Sequence, residues 1–320
     1  MDEVVLVTGA SSGIGRATAR QAAAEGDHVV LVARGAGPLE DAAAECRAAG
    51  AASARVLPLD IGDAVAVQAA VDQVLAEHGR IDVVVNSAGV VAYGRFEDVP
   101  AEVFERVLRT NALGSANIAR AVLPGMRARN AGTLVLIGSL IGQIAPPYMS
   151  SYSVSKWAVR NLARELLIEN RDRSGVHVCL VSPGGVDTPI YVQAGNYLGQ
   201  IGRPPPPVVS PEKVARVALA MRQRPRAHAQ VGVANSFMLL GFTLLPKVFD
   251  AIVTPMFTNA AVDRRRPTDA GPGNVLGSVP AGNRLRGNQG SPVLSILGSL
   301  WVGLTSASKR LRSTDGSQES

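Results

Sequence analysis

A chain of 320 residues with 47% apolar side chains can bury one large core. Its formal net charge of +6 does not point to nucleic acid, because residues 263–320 hold eight Arg/Lys against four Asp/Glu and no aromatic-interleaved basic patch occurs elsewhere. Two cysteines, Cys46 and Cys179, and four histidines give neither a disulfide framework nor a metal-ligand spacing, which fits a reducing, cytosolic setting with no metal.

Asp2 and Glu3 precede the first apolar run with no basic leader, so no signal peptide is expected. Val4–Val7 reads as a short buried strand. Thr8-Gly-Ala-Ser-Ser-Gly13-Ile-Gly15 follows and opens a helix predicted from about Ile14 to Ala24. Glycines at such a turn let backbone amides approach a pyrophosphate at the positive end of the helix. A glycine-rich loop alone is weak evidence, but between a strand and a helix it signals dinucleotide binding. Gly9, Ser11, Ser12, Gly13, Ile14 and Gly15 are the candidate contacts.

His28–Arg34 is the second predicted strand, and its end decides the cofactor. An NAD site places an acid about twenty residues past the glycines, on the ribose hydroxyls. Here Ala33 stands in that place and Arg34 follows, with Arg16 just beyond Gly15. A guanidinium suits an added 2′-phosphate, so the sequence predicts NADP(H), read by Arg34 with Arg16 assisting. The bland alternative makes both arginines solvated charges at helix ends.

A helix is predicted over 39–49, a strand over 55–59, then Asp60 and Ile61 at a strand end, a helix over 64–78 and a strand over 81–85. Asp60 suits an adenine amino group or, alternatively, a helix N-cap beside Asp63. Asn86-Ser-Ala-Gly89 reads as a turn, and one long helix after Pro100 carries Asn111. Asparagine is mildly unfavourable inside a helix, so Asn111 either faces solvent or has a function. Val176–Val181 is the sixth strand and ends in the loop Ser182-Pro-Gly-Gly-Val-Asp-Thr-Pro189.

The densest chemistry lies in 139–156. Tyr152 and Lys156 are four residues apart in a helix predicted from Ser150 to about Arg171, and so project from one face. A phenol titrates at about 10, and a neighbouring ammonium favours the phenolate and draws that value down. Ser139 ends the apolar run Thr133–Gly138, at the strand edge where open α/β sheets bind ligands. Alone, this tyrosine–lysine spacing usually marks nothing more than a surface helix.

Taken together in order, Thr8…Gly15, Asp60, Asn86-Ser-Ala-Gly89, Asn111, Ser139, Tyr152…Lys156 and Pro183-Gly-Gly-Val-Asp-Thr188 resemble the short-chain dehydrogenase/reductases over roughly residues 3–235. The resemblance implies a doubly wound parallel sheet of about seven strands in three α/β/α layers, followed here by a C-terminal helical extension. It also implies Tyr152 as general acid/base, Lys156 on the nicotinamide ribose, Ser139 on the substrate oxygen and Asn111 in a water-linked proton relay. Asp60, Ile61, Asn86, Ala88, Gly89, Pro183, Gly184, Val186 and Thr188 join the glycine loop and Arg34 as implied cofactor contacts, along with Tyr152 and Lys156. Ser87 stands where the family more often has a second asparagine. Family members are commonly homodimers or homotetramers.

After a helix predicted over 211–222 and a seventh strand over 230–234, the chain continues past the usual end of such a protein. Residues 229–246 carry no charged side chain, which approaches the ~20 apolar residues of a membrane span. Pro246, Lys247 and Asp250 argue instead for a helix over 235–257 that covers the substrate cleft or lies in a membrane interface, closing a domain of residues 1–257. The loop 187–210, with Tyr191, Tyr197, Leu198 and Ile201, suits a lid over that cleft. Residues 258–320 read as a low-complexity tail, with 263–291 a disordered tether and a short apolar helix near 293–304 beside Lys309-Arg-Leu-Arg312, suited to anionic lipid or a partner subunit. The predicted function is an NADP(H)-dependent oxidoreductase on a lipophilic alcohol or carbonyl. A 3-oxoacyl-carrier-protein reductase and a non-catalytic NADP(H)-binding scaffold are the alternatives.

Overall fold

The computed structural model describes residues 2–287. The first half alternates strand and helix: β1 (Val4–Thr8), α1 (Gly13–Ala24), β2 (His28–Ala33), α2 (Ala36–Ala49), β3 (Ser53–Pro58), α3 (Ala64–His78) and β4 (Val83–Asn86). The two-residue strand β5 (Ala92–Tyr93) leads to α4 (Ala101–Leu108), α5 (Gly114–Arg129), β6 (Gly132–Ile137), α6 (Ser150–Glu169) and β7 (Val176–Pro183). The short strands β8 (Gly195–Asn196) and β9 (Gln200–Gly202) precede α7 (Pro211–Ala220), β10 (His228–Val231), α8 (Ala234–Leu244), α9 (Pro246–Ala260) and β11 (Val262–Pro267).

Seven strands form one sheet in the order β10-β7-β6-β4-β1-β2-β3, every neighbouring pair parallel. A parallel sheet needs both faces covered, which is why its strands are runs of Val, Leu and Ile. One face packs on α1, α2 and α7 through residues such as Val7, Leu31, Leu39 and Val214. The other packs on α3, α5 and α6 through Leu6, Val74, Ile118 and Val159. The chain order reverses between β1 and β4, and the crevice at that switch point is where such sheets bind ligands.

Local chemistry sets several boundaries. Asp63 caps α3 by accepting from Val65 N and Ala66 N at 3.0 Å, so the N-cap role falls on Asp63 and not on Asp60. Gly232, at φ +134°, ends the seventh strand at Val231, three residues earlier than expected. The long helix expected after Pro100 is interrupted by a π-helical turn at Arg109–Leu113, which buries Thr110 and Asn111.

The extension is helical, as α8 and α9. The expectation of a disordered tether does not hold for residues 263–287. β11 pairs antiparallel with β9, because the tail meets the open edge of the 187–210 loop, and that loop is further tied by β8 pairing with β5. Expectations for 293–304 fall outside the described residues. Among those described, no helix is long and apolar enough to cross a membrane.

Candidate active site

The turn after β1 builds a cradle for a phosphate-bearing ligand. Gly9 takes φ +67°, and a Cβ there would lie 2.9 Å from Ala88 N. Its cavity, about 140 Å³, is lined by Gly9, Ser11, Ser12, Gly13 and Ile14 with Arg34, Asp60, Ile61, Ala88, Gly89 and Thr188. The N-terminus of α1 opens onto it, a position that favours anions, with Gly13 N here donating to Arg284 O at 3.1 Å. Glycines, hydroxyls, a cationic rim and a helix N-terminus together fit a dinucleotide phosphate.

Ser139 sits just past β6 and caps a 3₁₀ turn, accepting from Ile141 N at 3.2 Å. The Tyr152 phenol lies close enough to Ser139 for that hydroxyl to draw its titration down. Lys156 reaches under α6 to donate to Ile137 O at 2.8 Å, its Nζ 5.7 Å from the centre of the Tyr152 ring. The three residues expected to handle the proton therefore meet. Their titration departs from the expectation of a depressed phenol. Burial pushes Tyr152 up to about 12, against the smaller downward pull of Ser139. The lysine does not reverse this, because burial lowers Lys156 itself to about 8 and weakens its hold on a positive charge.

Four expected residues have other work among the described residues. Asn111 Oδ1 accepts from Val90 N at 2.8 Å, while its Nδ2 donates to Val90 O and Ser155 Oγ, both at 2.9 Å. It ties the β4 loop to α6 and lines neither cavity. Asn86 accepts from Thr8 Oγ1 at 2.6 Å and donates to Ser115 Oγ at 2.8 Å, behind the cradle. Gly15 lets α1 approach the turn, since a Cβ there would lie 2.3 Å from Gly9 O. Arg16 is turned away from the cavity by Glu45, which takes its Nη2 at 2.8 Å and its Nε at 3.2 Å, so its expected assistance to Arg34 is withdrawn. Asp60 stays on the rim, its carboxylate shared between Arg106 and Gly62 N.

A second cavity, about 240 Å³ and mainly apolar, is lined by Ser139, Tyr152 and Lys156 and adjoins the first. Pro183, Gly184, Val186 and Thr188 form one wall, while Met238 of α8 and Val253, Met256 and Phe257 of α9 form another. The extension therefore does cover this cleft. Phe249 and Val253 anchor it against Ile144.

A family model described as short chain dehydrogenase matches residues 3–196. The chain belongs to that family. As a short-chain dehydrogenase it is 32% identical over 256 residues to "Uncharacterized oxidoreductase YxnA" of Bacillus subtilis (strain 168), covering 79% of this chain and 71% of that protein. It is 34% identical to a 3-ketodihydrosphingosine reductase of Bacteroides thetaiotaomicron, over 58% of this chain and 65% of that one. Against some other relatives the chain spans only a third of their length. A metagenomic short-chain oxidoreductase solved in complex with NADP superposes with a TM-score of 0.62 at 30% identity, covering 72% of this chain and 96% of that one. The chain is thus an oxidoreductase of this family with a Rossmann-type nucleotide-binding fold.

Sequence reasoning missed Ser87, Thr110 and Gln193 in the dehydrogenase's polar cavity, and Asn274, Ser278, Val279 and Asn283 beside them. The last four lie in the stretch read as disordered. Its turn residues, Gly271-Pro-Gly-Asn274, were the available signal for ordered structure.

Proposed function

We propose that the protein is an NADP(H)-dependent oxidoreductase interconverting a lipophilic secondary alcohol and its ketone, with Tyr152 carrying the proton. The carrying observation is that Tyr152, beside Ser139 and Lys156, lines an apolar cavity that adjoins the polar, glycine-lined one through Ile14, Gly89 and Thr188. Arg34 on the rim, with no acid at Ala33, favours the 2′-phosphorylated cofactor. Gly9, Ser11, Ser12, Gly13 and Ile14 would hold the phosphates, with Ala88, Gly89, Lys156 and Thr188 nearer the nicotinamide. The bound nicotinamide supplies or accepts the hydride.

Burial keeps the Tyr152 phenol protonated at neutral pH, ready to donate to a carbonyl oxygen that Ser139 orients. In the reverse direction it must accept, and the partial neutrality of Lys156 near pH 8 offers a site to which that proton can pass. An apolar cavity closed by Met238, Val253, Met256 and Phe257 suits a long aliphatic or ring system, and the resemblance to a protein named for a ketodihydrosphingosine agrees with that class. The test is a panel of ketones of increasing chain length, followed by the loss of NADPH or NADH absorbance. Turnover should rise with chain length and favour NADPH. Activity confined to small polar ketones would overturn the substrate class.

A further inference from the structure

Beyond β11, the backbone crosses the molecule and lies along the mouth of the polar cavity. A bridge between Gly271 and Asn196 starts it, with hydrogen bonds of 2.8 and 2.9 Å in both directions. Gly273 makes the turn at φ +54°, where a Cβ would stand 2.3 Å from Ala194 O. Val275 is fully buried against Val90, Val99 and Val103. Asn274 O and Val275 O then accept from the two terminal nitrogens of Arg34, at 2.5 and 3.1 Å. Ser278 lies over Gly35, its Oγ 2.7 Å from where a Cβ on that glycine would be. The far end accepts from Gly13 N through Arg284 O at 3.1 Å and closes on Asp187 through Gly287 N. Gln193, buried beneath, donates to Val279 O at 3.2 Å and to Asn283 Oδ1 at 3.0 Å.

We propose that residues 271–287 are a built-in wall of the cofactor site, in which Asn274 and Val275 position Arg34 and Ser278 donates to the 2′-phosphate beside it. The proposal rests on the NADP(H) reading above and adds residues to it. Three observations favour a wall over a plug. The cavity persists between this strap and the glycine turn, lined by both. Arg34 has five N–H donors and spends only its contacts at two nitrogens on the strap, leaving others for a phosphate. The strap is also anchored by a buried valine and a hydrogen-bonded bridge, as a permanent element is. Carbonyls at the guanidinium fix its plane without neutralising it, which a carboxylate partner would do.

The test uses the full-length protein, titrated with NADPH, NADH and adenosine 2′,5′-bisphosphate. Ser278→Asp places a negative charge beside the phosphate. It should weaken NADPH and the bisphosphate at least tenfold and leave NADH within about twofold. Gly273→Ala moves the strap without touching the cavity, and should lower the NADPH-to-NADH preference several-fold in protein whose circular dichroism is unchanged. If Gly273→Ala unfolds the chain, the Ser278→Asp titration alone decides. Wild type that prefers NADPH, with both variants keeping that preference, overturns the strap assignment alone. Tighter NADPH binding in Gly273→Ala shows a plug and also overturns it. Wild type that binds NADH as tightly as NADPH overturns the cofactor reading, and the role of Ser278 with it.

Discussion

The polar and apolar cavities share Ile14, Ser87, Gly89, Thr188 and Ile190 at their seam, yet they are made in different ways. On the polar side the cradle itself comes from one turn, residues 9–14, where short side chains bring the backbone to the cavity. On the apolar side the walls come from distant stretches around 139–156, 183–207 and 234–261, and recognition rests on side-chain bulk. A ligand bound by backbone is insensitive to most substitutions, whereas one bound by bulk changes with every methyl group. Such a protein can alter its substrate while keeping its cofactor.

Tyr152→Phe should have the largest effect, since it keeps the ring and removes the proton. Turnover should fall by about 10²–10⁴, with cofactor affinity near normal. Steady-state kinetics beside a cofactor titration would expose any other site, through a Tyr152→Phe variant that turned over normally. On the polar side, Ala33→Asp with Arg34→Ile should reverse the preference towards NADH. Loss of one charge-assisted contact is worth about 1.5–3 kcal/mol, roughly ten- to a hundredfold in NADPH affinity. Equal affinities in wild type would remove the basis for the change.

Lys156, buried in the wall of the apolar cavity, should make stability depend on pH. Its folded value of about 8 lies below the 10.5 of the free side chain, so below pH 8 it is charged in both states and burial is penalised in full. Between those values the unfolded chain binds more protons, and stability rises with pH. Tyr152 acts oppositely above pH 10, where the unfolded chain ionises before the folded one at about 12. The Lys156 contribution to stability in the cofactor-free protein should therefore grow from pH 8 to 10 by at most ~3 kcal/mol, opposed above pH 9 by Cys46, which burial raises to about 11. Lys156→Met should flatten that rise, and an unchanged slope in the variant would refute the assignment.

The smallest effect belongs to the outer face of the extension, where Phe237, Leu240, Leu244, Leu245 and Val248 are exposed. Phe237→Ser with Leu244→Ser should change stability by no more than ~0.5 kcal/mol each and reduce self-association in light scattering. A drop in melting temperature of many degrees would mean that these side chains are buried in solution.

What the sequence made legible follows the same division. Gly9, Ser11–Ile14, Ser139, Tyr152 and Lys156 were readable because short spacing and a flanking strand or helix fix their placement. Asn86 and Asn111 were equally visible, but their partners, Ser115 for one and Val90 and Ser155 for the other, are 21 to 44 residues away. Arg16 was misassigned because Glu45, 29 residues on, competes for it. The depressed phenol failed on a quantity that spacing does not carry, the depth of burial around Tyr152. Residues 271–287 were the largest omission. Glycine and proline there serve tight turns against Ala194 and Gln193, and composition alone does not separate such turns from disorder.

The contact of Arg34 with Val275 spans 241 residues of chain. Synthesis proceeds from the amino end, so the glycine turn and Arg34 leave the ribosome long before their wall exists. The sheet strands β1 to β7 can pair in that interval, because domains fold as their sequence becomes available. That contact closes late in synthesis, after the sheet has already brought most of the intervening chain into place. The last part of the nucleotide site to form is therefore the one farthest from its motif. A nascent chain arrested before residue 274 would carry an intact glycine turn and an open rim.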